Sequence, residues 1–396
     1  MTTQTFSSTE LLASWSQNFM ANYGQPAIAL VRGQNATVWD VDGKSYIDFL
    51  AGIAVNSLGH AHPELVSAVS NQVANLGHTS NFAAHPQVIK LATRLVELTD
   101  PSAKVFFCNS GAEANEASIK ISRLTNRSNI VSLTGSFHGR TMGALSITGQ
   151  SAKSAAFMPL LTNVTFIEPN DVDALIQAVT ESTAALWLEP ILGEGGVIGL
   201  TDEYLKVARD VCNQTGALLV IDEVQTGIAR TGTMFAYQSA QITPDLLLLA
   251  KGLGGGLPIG AVIGFGPAGN LLTPGSHGST FGGNPISCAA ANAVLDVVKS
   301  DSLEARSMQI ERQIRTVLAS CTGVVEIRGR GAMLGVVLAG NHGPQVVESA
   351  RISGLLINAP LTNVIRLVPP LTISDNELAD GLEILRDTIK QISEAK

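Results

Sequence analysis

Seven short apolar runs dominate the middle of this chain. They are VFFC at 105–108, NIVSL at 129–133, NVTFIE at 163–168, AALWLE at 184–189, ALLVIDE at 217–223, DLLLLAK at 245–251 and AVIGFG at 261–266. Most are too short for core helices and are bounded by Gly, Pro, Asn or Asp, so they read as strands buried on both faces. Between several of them lie helix-compatible segments such as AEANEASIKISRLT at 112–125 and DEYLKVARDVCNQT at 202–215. Continuous apolar strands separated by helices predict an α/β fold with a mainly parallel sheet covered on both faces. The composition agrees: 45% of the 396 residues are hydrophobic and only 15% charged, enough to bury a large core and the reverse of a disordered chain.

The two ends read differently. Residues 35–55 suggest a hairpin turning at Asp42-Gly43, and from about 291 one long helix, ANAVLDVVKSDSLEARSMQIERQIRTVLAS, leads into short strands and a final helix. The expected division is therefore 1–60 as the N-terminal segment of a small domain, 61–290 as a large domain, and 291–396 as the rest of the small one.

Several function classes are disfavoured at once. A net charge of −8 argues against a nucleic-acid partner, which needs a positive footprint. The start, MTTQTFSSTELLASW, lacks the basic and apolar regions of a signal peptide, and runs such as LLLLA are too short to span a bilayer. Cys108, Cys212, Cys288 and Cys321 lie far apart without CxxC spacing, which fits buried thiols in a reducing, cytoplasmic compartment. Gly43-Lys44-Ser45 ends like a P-loop, but Val38 stands where its first glycine belongs. GLGGGLPIG at 252–260 fails GxGxxG, because Leu257 or Ile259 falls on the last position. His60 and His62 have no acidic or cysteine partner at metal-ligand spacing, and a turn before Pro63 explains them better, so no metal is expected.

Four strand ends carry chemistry together. Ser110 follows VFFC as a candidate N-cap, and the small residues Gly111 and Ala112 leave amides accessible at the positive end of a helix dipole, an anion cradle. Asp222 ends an otherwise apolar strand, where an acid faces the ligand crevice. Lys251 ends the strand one strand–helix–strand unit later, where partial desolvation would lower its pKa and free its amine. A glycine-rich loop, His277-Gly278-Ser279-Thr280-Phe281-Gly282-Gly283-Asn284, offers further hydroxyls and amides. A phosphate cradle, a buried acid and a strand-end lysine are together what pyridoxal 5'-phosphate requires: the lysine holds its aldehyde as a Schiff base, and the acid keeps the ring nitrogen protonated.

From Gly33 to the C-terminal helix the sequence resembles the class III pyridoxal-phosphate-dependent aminotransferases of fold type I, and among them the acetylornithine aminotransferases. The resemblance rests on SGAEANEASIK (110–120), FHGRTMGALSITGQ (137–150), EPILGEGG (189–196), LLVIDEVQTGIARTG (218–232), AKGLGGGLPIGA (250–261), HGSTFGGNP (277–285), RGRGAMLG (328–335) and IRLVPPL (365–371). It implies a homodimer in which Lys251 and Asp222 are catalytic. Ser110, Gly111, Ala112, Phe137, Asp222, Glu223, Val224, Gln225 and Lys251 would hold the cofactor, with Thr280 reaching its phosphate from a neighbouring subunit. Arg140, with Ser279 nearby, would bind the α-carboxylate of N-acetylornithine, and Arg366 the α-carboxylate of glutamate or 2-oxoglutarate. Glu194 would neutralise Arg366 while the ω-amine is processed. Leu192 departs from the family's usual Gln, and Ala229 from its usual Gly.

The implied activity moves the δ-amino group of N2-acetyl-L-ornithine to 2-oxoglutarate, giving N-acetyl-L-glutamate 5-semialdehyde and L-glutamate, a step of arginine biosynthesis. Succinylornithine, ornithine, succinyldiaminopimelate and 4-aminobutyrate are the alternative donors. From other classes, a nucleotide-dependent α/β enzyme is opposed by the failed phosphate-loop motifs. A non-catalytic binding module would have no use for the lysine–aspartate pair.

Overall fold

The structure is a computed structural model describing residues 7–394; the first six residues of the stretch read against a signal peptide, and the last two of the chain, lie outside it. All seven apolar runs form strands of one sheet. Its order is Lys104–Cys108, Gly260–Gly264, Leu246–Leu249, Leu218–Asp222, Thr183–Leu188, Asn129–Leu133 and Val164–Ile167. Gly260–Gly264 runs antiparallel to both its neighbours, and the remaining pairs are parallel. Lys104–Cys108, across that reversed strand, therefore points the same way as the other five. The carboxyl ends of six strands open on one edge, the place where open α/β sheets bind ligands.

The period of two explains how both faces are filled. Leu219, Ile221, Leu247 and Leu249 pack into one core cluster, while Val220, Leu246, Leu248 and Trp187 face the other, with Ala114, Ala117 and Ile121 of the helix Gly111–Arg123. Asp222 shares a face with Val220, so the strand itself aims its carboxylate at that helix. The helix Asp202–Thr215 falls on the residues expected, capped by Thr201 and ended by Gly216 at φ +73°.

Outside this sheet, Leu30–Gln34, Thr37–Asp40 and Ser45–Asp48 form an antiparallel meander, joined on its far side by Leu355–Leu356 running parallel to Ser45–Asp48. The two chain ends thus share a sheet. A second four-stranded sheet, Val324–Arg330, Met333–Leu338, Val364–Leu367 and Asn358–Leu361, carries Arg366 in an inner strand, and the helix Asp375–Glu394 follows.

Two local expectations change. The hairpin does turn at Asp42-Gly43, where Asp40 Oδ1 accepts from the amides of Asp42 (3.1 Å) and Lys44 (2.9 Å). It ends at Asp48, however, whose Oδ1 accepts from the amides of Leu50 (2.9 Å) and Ala51 (2.8 Å). Ala51, Gly52, Ile53 and Ala54 then make a left-handed turn, all at positive φ. The long helix read from about 291 is two, Pro285–Ser300 and Leu303–Leu318, broken at Ser302 with φ +52°. Ser300, Asp301 and Ser302 favour side-chain bonds over the helical ladder, and Ser300 Oγ reaches Asp301 Oδ1 at 2.8 Å. The first of the two starts at Pro285 because Asn284 caps it through the Ser287 amide (2.9 Å).

All four cysteines are buried and free. Among the described residues no helix is long and apolar enough to cross a membrane.

Candidate active site

A cavity of about 410 Å³ opens at the carboxyl edge of the central sheet, within the range of roughly 300–1,000 Å³ usual for small-molecule sites. Ser110, Gly111, Ala112, Phe137, Arg140, Glu194, Asp222, Val224, Gln225 and Lys251 all line it, with His138 and Glu189 between them. Strands and helix starts far apart in sequence converge here because the sheet is parallel.

Ser110 caps the helix Gly111–Arg123, its Oγ accepting from the Glu113 amide at 3.1 Å. The amides of Gly111 and Ala112 belong to the first turn, which has no intrahelical acceptors, so they are donors presented to the cavity. A Cβ on Gly111 would meet both Val224 methyls at 2.8 Å, so glycine is what lets this turn lie against Val224.

Asp222 is buried at the floor. Its Oδ2 accepts from His138 Nδ1 (2.7 Å) and Asn115 Nδ2 (2.9 Å), and Oδ1 from the Val224 amide (3.0 Å). Trp187, fully buried, fixes this arrangement: its indole N–H, a donor only, takes Asn115 Oδ1 at 2.9 Å and so turns the Asn115 NH₂ toward Asp222. Burial works against a charged His138, but the hydrogen bond and charge of Asp222 overcome it and raise the imidazole above its ordinary range.

Lys251 follows the strand Leu246–Leu249 at φ +40°, a conformation that costs a non-glycine residue about 1–3 kcal/mol and persists where surroundings enforce it. Burial pushes its amine down to about 8, reinforced by Arg366 and opposed by Glu194, Asp222 and Glu189. Glu189, which follows the strand Thr183–Leu188 beside that of Asp222, accepts from the Phe137 amide at 2.8 Å, and burial raises its carboxyl to about 7.

Arg366 has no exposed surface and sits behind the cavity wall. Its Nη1 donates to Glu194 Oε1 (2.5 Å) and Gln225 Oε1 (3.2 Å), and its Nε to Asn358 Oδ1 (3.3 Å). Its Nη2 has no acceptor among the described residues. Burial would raise the Glu194 carboxyl, but the charge and hydrogen bond of Arg366 hold it below the usual range. Arg140 is exposed at the mouth, its guanidinium 5.5 Å from the centroid of the Phe137 ring.

Glu223, Ser279 and Thr280, the last expected at a neighbouring subunit's site, do not line this chain's cavity. Glu223 is on the opposite face of its strand from Asp222, and its carboxylate accepts from the amides of Ala236 and Tyr237, each at 2.7 Å, so it is no part of the cavity wall. Ser279 does not line the cavity, and its Oγ meets Asn109 Nδ2 of the wall at 3.1 Å. Thr280 is exposed and outside the wall. His60 Nε2 pairs with Asp48 Oδ2 at 3.0 Å, and His62 precedes the helix Pro63–Asn75. Among the described residues no group of three or more His, Cys, Asp or Glu could hold a metal ion.

His138, Glu189, Asn115 and Trp187 escaped the sequence reading. Glu189 carried a readable signal, an acid ending an apolar strand as Asp222 does. Asn115 and Trp187 carried none, since only the folded sheet brings them together.

The donor set suits a flat molecule with an anionic group at one end, a ring atom that takes positive charge, and a carbonyl within reach of an amine. Comparison with known proteins agrees. Residues 19–389 match the family described as Aminotransferase class-III. Acetylornithine aminotransferase of Mycobacterium bovis is 53% identical over 371 residues, covering 93% of this chain and 92% of that protein. The Streptomyces coelicolor protein of the same name is 49% identical over 395 residues, covering 98% and 97%. Among solved structures, an ornithine aminotransferase from Toxoplasma gondii superposes with a TM-score of 0.94 at 32% identity, covering 99% and 96%. N-acetylornithine aminotransferase from Stenotrophomonas maltophilia gives 0.84 at 36%, covering 97% and 100%. With the family matched over nearly the whole chain and fold and cavity in agreement, this protein belongs to the class III aminotransferases.

Proposed function

We propose that the protein is a pyridoxal-phosphate-dependent acetylornithine aminotransferase, moving the δ-amino group of N2-acetyl-L-ornithine to 2-oxoglutarate in arginine biosynthesis. The observation that carries the reading is the Arg366–Glu194 pair at 2.5 Å beside Lys251, together with a separate exposed cation, Arg140, at the mouth. The δ-carbon of the donor bears no carboxylate, whereas the reacting carbon of glutamate does. A single site must therefore mask a cation in one half-reaction and expose it in the other.

Pyridoxal phosphate, when bound, supplies an aldehyde to take up the amino group and a ring to accept electrons. Ser110, Gly111 and Ala112 would hold its phosphate, and Phe137, Val224 and Gln225, which line the same cavity, would hold its ring. Asp222, fixed by His138 and Asn115, would supply the negative charge that keeps the ring nitrogen protonated. Lys251, with its depressed pKa, would offer a far larger share of neutral amine than an ordinary lysine and would move the proton at the substrate's reacting carbon. Arg140 takes the donor's carboxylate while Glu194 neutralises Arg366. When Glu194 withdraws, Arg366, with a free Nη2 already in place, takes the acceptor's carboxylate.

The same reading makes the active unit a cytoplasmic homodimer, with residues 1–60 and 291–396 forming a small domain around 61–290. Phe82 is fully exposed and Phe281 is 60% exposed in the single chain. They lie on two loops tied together by Asn81 Nδ2 to the carbonyls of Ser279 and Gly282, each at 3.2 Å, beside exposed Thr280. A second subunit would cover these rings and receive Thr280 at its phosphate site.

Measuring kcat/KM for acetylornithine, succinylornithine, ornithine, succinyldiaminopimelate and 4-aminobutyrate tests the substrate. Acetylornithine is expected to lead, and Arg140→Ala to cost it about 2–3 kcal/mol, roughly 30- to 150-fold, for a lost charge-assisted pair. A strong preference for unacylated ornithine refutes the choice of donor.

A further inference from the structure

Arg366 is fully buried, so it needs an anion in both half-reactions: Glu194 in one, the acceptor's carboxylate in the other. Glu194 has the mirror-image need. Arg366 is bonded to its carboxylate, and two further cations, Lys251 and Lys153, act on it through their charge. In the acceptor half-reaction Arg366 is taken and Lys251 is committed to the proton transfer. We propose that Lys153 is the positioning residue that receives Glu194 when it leaves Arg366, an inference that rests on the proposed function.

The geometry carries it. Lys153 lies in the short turn Ser151–Ser154 and is half-buried, with Nζ 5.4 Å from the centroid of the same Phe137 ring that Arg140 meets. Its ammonium donates to Gln150 Oε1. Gln150 Nε2 in turn donates to the carbonyls of Gly135 (3.0 Å) and Ser136 (3.3 Å). Gly135 packs directly on the neighbour of Glu194, since a Cβ on Gly195 would stand 2.9 Å from the Gly135 carbonyl oxygen. Lys153 is therefore anchored on the loop against which the loop of Glu194 rests. Burial lowers its pKa, and the largest opposing influence is Glu194 itself.

Glutarate, a dicarboxylate that cannot be transaminated, isolates the step. Calorimetric titration of the holoenzyme is expected to give about tenfold weaker glutarate binding in Lys153→Gln, equal to about 1.4 kcal/mol, with Lys153→Arg recovering most of the loss. The KM for 2-oxoglutarate should rise by a similar factor, with kcat changed far less. In a Glu194→Gln background no carboxylate is left to receive, so adding Lys153→Gln should change the dissociation constant by less than about twofold. Unchanged glutarate binding in Lys153→Gln overturns the inference. So does an equal loss in the Glu194→Gln background, which would make Lys153 a direct ligand or a purely structural residue. A wild-type holoenzyme that forms no glutamate from acetylornithine and 2-oxoglutarate overturns the functional reading instead.

Discussion

At the scale of single residues the account turns on Lys251 and what surrounds it. Its amine is held near 8 against an ordinary 10.5, with burial as the first cause. A lysine with a depressed folded pKa binds fewer protons folded than unfolded between those two values, so its contribution to stability rises with pH across that window and is a penalty below it. The same shift governs reactivity. Cofactor loading into the apoprotein, followed by the growth of its visible absorbance, is expected to speed up with pH and level off above about 8. A rate still climbing tenfold per unit at pH 9.5 would show an unperturbed lysine. The sequence disclosed Lys251, Asp222, Ser110 and Arg140, because each ends a strand or sits in a recognisable stretch. It disclosed neither the Trp187–Asn115–Asp222–His138 chain nor the turning-away of Glu223. Those follow from which face of a strand each residue occupies and from a helix packed across it, which local spacing does not encode.

At the scale of elements, the strand Gly260–Gly264 shows how closely the pieces around the Ser110 helix start, the proposed phosphate cradle, are fitted. It runs against Lys104–Cys108 with Gly260 opposite Cys108, and a Cβ on Gly260 would run into the Ser110 carbonyl and stand 2.7 Å from Cys108 Sγ. Gly260→Ala is expected to destabilise the fold by about 1–3 kcal/mol, seen as a lower Tm, and to weaken pyridoxal phosphate binding through the displaced Ser110. Gly199→Ala, where a Cβ meets nothing within 4 Å, is the control, expected within about 0.5 kcal/mol of wild type. Equal melting temperatures for the two variants would contradict the packing argument. The strands themselves were legible as apolar runs. The break at Ser302 was not, because the apolar period continues across it and only the Ser-Asp-Ser chemistry interrupts the ladder. The left-handed turn at 51–54 was equally hidden, since Asp48 imposes it by bonding two amides beyond the strand end.

At the scale of the whole molecule, the low charge and high apolar content are accounted for by a sheet buried on both faces, and the charged residues Glu189, Asp222 and Lys251 stand together at its carboxyl edge. The exposed rings of Phe82 and Phe281 predict association. Analytical ultracentrifugation of the wild type should give a mass near twice 41.4 kDa, whereas Phe82→Asp should shift it toward one subunit and lower cofactor retention. A fully active wild-type monomer would contradict the shared site. The central claim, that this cavity holds pyridoxal phosphate on Lys251, has a more direct test. The purified protein, saturated with pyridoxal phosphate, is reduced with borohydride, digested and mapped by mass spectrometry. The account predicts a visible band that disappears on reduction, a pyridoxyl-phosphate mass on the peptide containing Lys251, and neither in Lys251→Ala. A protein that acquires no band, or one labelled only at other lysines, would contradict it.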